Sequence, residues 1–129
     1  MKYARLSITI LLAVMALSLS SCKKDKQQNN GIKHPLHLHM QWLFDNDNVK
    51  LYIDGVRVYN GYVTTSPLVG LAEAVDVEQP YGSFEMKIVV NDIYTAKRNI
   101  TFSQDLFVLF TFENNVPAID TTTTAPGYD

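Results

Sequence analysis

The chain has 129 residues, of which 47% are hydrophobic, 19% charged and 11% aromatic, with a formal charge of −2. That length suits one domain, and the slight acidic surplus argues against a nucleic-acid binder, which carries a basic excess. A single cysteine excludes an internal disulfide framework and a cysteine-built zinc site.

The first 22 residues read as an address rather than as part of the fold. Lys2 and Arg5 give a positive start, and Leu6 to Leu17 form an apolar stretch. It is shorter than the roughly 20 apolar residues of a spanning helix and suits the core of a signal peptide, about 7–15 residues. Leu19-Ser20-Ser21-Cys22 then resembles the lipobox of bacterial lipoproteins. The resemblance implies that residues 1–21 are a signal peptide, removed just before Cys22. It also implies that the Cys22 thiol carries a diacylglycerol and that acyl chains such as palmitate hold the protein in the membrane. Each buried methylene adds about 0.8 kcal/mol, so two or three chains make release rare. In that family an aspartate after the cysteine favours the inner membrane. Lys23 occupies that place here and points to a lipid-anchored outer-membrane protein of the cell envelope.

Cleavage would remove Lys2 and Arg5, leaving nine basic residues against 13 acids, a net −4. Residues 22–34 read as a flexible tether. The run from Cys22 to Gly31 is polar throughout and cannot bury enough apolar surface to offset its ordering entropy. Residues 35–117 carry the pattern of a folded domain. Residues 118–129, with four consecutive threonines before Ala125-Pro126-Gly127, read as a disordered tail.

Within the domain the period is that of β-strands. Leu38, Met40, Trp42 and Phe44 alternate with His37, His39 and Gln41. A turn cluster at 45–48 leads to Val49, Leu51 and Ile53, and Asp54-Gly55 is a two-residue hairpin signal into Val56 and Val58. A four-residue loop at 45–48 would set Phe44 against Val49, Trp42 against Leu51 and Met40 against Ile53. The Asp54-Gly55 loop would set Ile53 against Val56 and Leu51 against Val58. Both put the apolar residues on one face, which predicts a three-strand meander. Asn60-Gly61 is a second turn or a bulge in a longer strand, and Glu73 to Glu78 is a candidate strand after Ser66-Pro67 and Gly70. Pro80-Tyr81-Gly82 is a turn. Phe84, Met86, Ile88 and Val90 alternate again. A three-residue loop from Asn91 opposes Phe84 with Ile100 and Ile88 with Ala96, a better fit than a tight loop. Leu106 to Phe112 is apolar on both sides at its start and belongs inside a sheet.

About seven short strands without a helix predict an all-β fold, an antiparallel immunoglobulin-like sandwich. The run Val49 to Val58 also resembles the opening of small surface domains such as the PEGA family.

Candidate chemistry is sparse. His37 and His39 project from one strand face, a pair able to ligate Zn²⁺ or Cu²⁺, with Asp54 beside His39 in the expected register. Asp45, Asp47 and Asn48 have part of a calcium-loop composition but lack its glycine and distal glutamate, and turn chemistry accounts for them. Glu73, Asp76 and Glu78 suit a charged strand edge better than a catalytic pair. Ser66 and Ser83 lack a nucleophile-elbow context, and no phosphate-cradling glycine motif is present. The chain therefore reads as a non-enzymatic binding module without a cofactor. Its candidate surface is the outward face of the Asp54-Gly55 hairpin, where Tyr52 opposes Arg57 and Lys50 opposes Tyr59. Such a platform suits a protein or glycan partner, with metal binding at His37 and His39 as the alternative.

Overall fold

The computed structural model describes residues 31–128; the expected signal peptide, Cys22 and the tether up to Asn30 lie outside the described residues. Eight strands follow in chain order: β1 (Lys33–Met40), β2 (Asp47–Ile53), β3 (Val56–Val63), β4 (Glu73–Pro80), β5 (Gly82–Val90), β6 (Tyr94–Phe102), β7 (Phe107–Glu113) and β8 (Val116–Thr122). They form two four-stranded sheets, ordered β4-β1-β7-β8 and β3-β2-β5-β6. The protein is an all-β sandwich, and among the described residues no helix occurs. All pairings are antiparallel except β1 with β7. An antibody constant domain keeps its first two strands side by side; here β1 lies between β4 and β7, so the strand order is a different one.

Alternation builds the core. Leu36, Leu38 and Met40 of β1 face Val49, Leu51 and Ile53 of β2 in the same buried cluster, with Phe84, Met86, Ile88 and Val90 of β5 and Val108, Phe110 and Phe112 of β7. Ten of these thirteen side chains are fully excluded from solvent. Full burial of one such side chain is worth about 1.5–3 kcal/mol, so this shared interior dominates the fold.

The expected pairing of the first two strands is not observed. β1 and β2 sit in opposite sheets, and residues 41–46 carry the chain across. An apolar face can be buried against a neighbour's face in another sheet as well as alongside it in one sheet, and the sequence alternation is the same in both cases. The crossing is stitched to the β3–β4 connection. Thr65 Oγ1 accepts from Phe44 N at 3.0 Å and donates to Gln41 O at 2.6 Å, and Thr64 Oγ1 accepts from Asn46 N at 2.8 Å. Trp42, expected opposite Leu51 in the core, is 51% exposed and rests its indole on Gly70.

The Asp54-Gly55 turn forms as expected, with positive φ at both residues. Beyond it the register slips. Ile53 pairs with Val56 and Tyr52 with Arg57, but a bulge then sets Leu51 against Tyr59 and Lys50 against Asn60. One extra residue in β3, Val58, reverses the facing of Tyr59. The β5–β6 hairpin has the three-residue loop read from the sequence, with Phe84 opposite Ile100 and Ile88 opposite Ala96. β7 is interior to its sheet, as its two-sided apolar start requires.

The expected tail from residue 118 is corrected by β8, which reaches Thr122. Asn114 and Asn115, with φ of 52° and 61°, make a tight turn, and Val116 to Thr122 pair along β7. Ile119 packs against the core opposite Phe110. The alternation of Val116, Pro117, Ala118 and Ile119 is weak, and the paired asparagines are the better signal.

Gly70 has φ of 71°, and the Trp42 ring leaves no room for a Cβ there. Gly70→Ala is expected to lower unfolding free energy by about 1–3 kcal/mol, combining left-handed strain with displacement of the indole. Urea denaturation followed by Trp42 fluorescence checks this; an unchanged midpoint would contradict the contact.

Candidate functional site

Burying one face of each sheet leaves two outer faces for chemistry, and they differ in kind. On the β4-β1-β7-β8 sheet, His37 and His39 share the outer face as their spacing requires. His37 Nδ1 lies 2.7 Å from Asp76 Oδ1 and Nε2 lies 2.9 Å from Asp105 Oδ1. Only the imidazolium can donate from both nitrogens. The ring stacks on Phe107, with centroids 4.5 Å apart. Burial alone would lower the His37 pKa, but the two carboxylates outweigh it and hold the value above 6.5. His39 Nδ1 meets Tyr128 Oη at 2.7 Å, and Gln41 Nε2 donates to the same hydroxyl at 3.0 Å. Burial and the neighbouring His37 lower the His39 pKa.

This geometry uses His37 as a charged bridge between two acids rather than as a lone-pair donor. The expected neighbour Asp54 is on the other sheet, at the β2–β3 turn, where its Oδ1 accepts from Glu85 N at 2.8 Å. Among the described residues, no group of three or more His, Cys, Asp and Glu is arranged to hold a metal ion. Asp105 and Tyr128, which complete the cluster, come from a loop and the chain end. No local pattern in the sequence announces them.

The remaining sequence candidates disperse. Asp47 Oδ2 accepts from Asp45 N and its Oδ1 from Asn91 Nδ2, both at 2.8 Å, so this cluster organises turns. Ser83 lies 3.4 Å from Thr101 on the opposite sheet from the histidines. Ser66 O accepts from Gly70 N in the β3–β4 connection. Asp76 and Glu78 share the outer face of β4, where Asp76 serves His37.

On the β3-β2-β5-β6 sheet, Lys50, Tyr52 and Arg57 face outward as expected, but Tyr59 does not. It packs against the core beneath Gly61, and burial together with Glu73 raises its pKa. Tyr52 is partly covered, because Lys87 Nζ sits 4.4 Å above its ring. The open aromatic is Tyr62, 73% exposed and paired with Asn48. Tyr62, Asn48, Lys50, Asn60, Asn91 and Asp92 line an open concavity of about 460 Å³. Asn48 Nδ2 donates to Asn60 Oδ1 at 3.1 Å, and Lys50 Nζ to Asp92 Oδ1 at 2.6 Å. The amide ends outside that bond, Asn48 Oδ1 and Asn60 Nδ2, form an adjacent acceptor and donor. The bulge brings Asn60 beside Lys50, and reading the hairpin without it conceals this arrangement.

No family model matches the sequence, and comparison with curated proteins finds no significant match.

The His37 cluster has a defined pH signature. Because its folded pKa lies above 6.5, His37 contributes stability below about pH 6.5 that is lost as pH rises through the folded value. His39 acts oppositely: its neutral form is favoured, so acidification below about pH 6.5 costs stability. NMR titration should find His37 above and His39 below that value, with Asp76→Asn moving His37 downward. A His37 midpoint under 6.5 in the parent would contradict the double carboxylate contact.

Proposed function

We propose that this protein is a lipid-anchored cell-envelope module, held in the outer membrane through Cys22, that binds a polysaccharide on the outer face of the β3-β2-β5-β6 sheet. The observation that carries the glycan reading is the concavity in which Tyr62 stands beside three asparagine amides, Lys50 and Asp92. An exposed ring offers an apolar plane to the C–H face of a sugar. Neighbouring amide donors and acceptors match vicinal hydroxyls, which need both roles at once. The positively started apolar stretch and Leu19-Ser20-Ser21-Cys22 support the anchor. The polar run that follows joins the sandwich at Lys33 and supplies a spacer between membrane and domain.

The binding is non-enzymatic in this reading. His37 is committed to two carboxylates, and the serines stand apart from it. Lys50, Tyr52 and Arg57 keep their place on the recognition face, Tyr59 supports β3 from within, and Tyr62 takes over the stacking role.

Two experiments address the two halves. Screening the full chain against a glycan array should give binding that Tyr62→Ala weakens about five- to tenfold, the scale of one aromatic contact; an empty array would remove the reading. Labelled palmitate should enter the native protein in its host and not Cys22→Ala. Equal labelling of both would remove the anchor.

A further inference from the structure

Charge is segregated between the two outer faces. The lysines and arginines of residues 31–128 are Lys33, Lys50, Arg57, Lys87, Lys97 and Arg98, against 11 acids in the same span. Four of those six cations, Lys50, Arg57, Lys87 and Lys97, stand on the outer face of the β3-β2-β5-β6 sheet, where Glu85 is the single strand-borne acid. The opposite outer face carries Asp76, Glu78, Glu113 and Asp120 on its strands. In an acidic domain, that concentration of cations on one face is the feature to explain.

Three of the four fall in one row. Arg57 pairs with Tyr52, Tyr52 with Lys87, and Lys87 with Lys97, so a single line of residues crosses all four strands. With strands about 4.8 Å apart, the line spans roughly 14 Å. Lys87 and Lys97 are directly opposite each other, an arrangement that weakens a sheet through like-charge repulsion. Lys50 and Arg98 have ion-pair partners at 2.6 and 3.3 Å, in Asp92 and Asp120. Among the described residues, Arg57, Lys87 and Lys97 have no carboxylate within 4.0 Å, whereas the Tyr52 ring holds Lys87 in place. An anion lying between the two lysines would remove the repulsion and gain charge-assisted hydrogen bonds.

We propose that this row binds the acidic substituents, carboxylate or sulfate, of a polysaccharide whose hydroxyls are read by the Tyr62 concavity. The proposal rests on the glycan-binding reading and adds the charge of the ligand. The row and the concavity are continuous, since Lys50 with Asn60 and then Asn48 with Tyr62 follow along the same two strands. Other outward strand positions are Ser83, Thr95, Asn99 and Thr101, with Val89 the apolar exception. A face of hydroxyls and amides around cations complements a hydroxylated polyanion. A lipid surface would call for apolar side chains to insert between headgroups.

The test uses the full chain purified in mild detergent, with alginate as the acidic polymer, dextran as the neutral one, and phosphatidylglycerol vesicles. The parent should bind alginate in preference to dextran, more weakly as salt rises. The double variant Lys87→Gln/Lys97→Gln should lose about tenfold or more in alginate affinity. Lys33→Gln, a cation off this face, should lose none. The double variant should melt within a few degrees of the parent, since it removes both the Lys87–Lys97 repulsion and the Lys87–Tyr52 contact. Equal affinity for dextran and alginate, or a double variant as tight as the parent, overturns the acidic ligand while leaving glycan binding intact. Absence of binding to either polymer overturns both, and preference for the vesicles overturns the row as a glycan site in favour of a lipid surface.

Discussion

The structure depends on two apolar sheet faces pressed together. β1 and β7 at the middle of one sheet meet β2 and β5 at the middle of the other, and their inward positions are almost uniformly Leu, Ile, Val, Met and Phe. Because side chains alternate along a strand, that burial assigns every second residue to solvent. The outer faces are therefore the complement of the core. No polar or charged residue is buried among the described residues, so charge and hydrogen-bonding side chains lie on those faces, in the turns and along the sheet edges. What distinguishes the two faces is which polar residues were placed there: acids around paired histidines on one, lysines and amides around tyrosines on the other.

Much of this was legible in the sequence, and the reasons for the failures are instructive. The β5–β6 pairing followed from matching Phe84 with Ile100 and Ile88 with Ala96 through a three-residue loop, and the same register sets Lys87 against Lys97. That pair follows from the sequence register alone, whereas the rest of the row needs the β2–β5 pairing. The first two strands went wrong because alternation reports which residues are buried, not whether they are buried beside a neighbour or across from it. Trp42 and Phe44 continue the period of β1, yet the chain has already left the strand at Met40. Leu43 and Asn46, both with positive φ, turn it into the second sheet.

A single bulge altered the candidate site more than any error of topology. With Val58 as the extra residue, Tyr59 turns to the core and Asn60 takes the outward place opposite Lys50. Two-residue periodicity has no means of registering one inserted residue, and the apolar Val58 conceals it by fitting either facing. The histidine cluster shows the other limit. The shared face of His37 and His39 is local and readable, but Asp76, Asp105 and Tyr128 lie 39, 68 and 89 residues away from the rings they contact. Contacts of that separation are fixed by the sandwich and not by any nearby motif.

We propose that recognition belongs to the basic outer face, with the histidine face a structural element. Mapping amide and side-chain NMR shifts on addition of alginate oligosaccharides tests it directly. Perturbations concentrated at Asn60, Tyr62, Lys87 and Lys97, with β1, β4, β7 and β8 silent, are the expected result. Shifts centred on His37, His39 and Tyr128, with the lysine row unmoved, would contradict it.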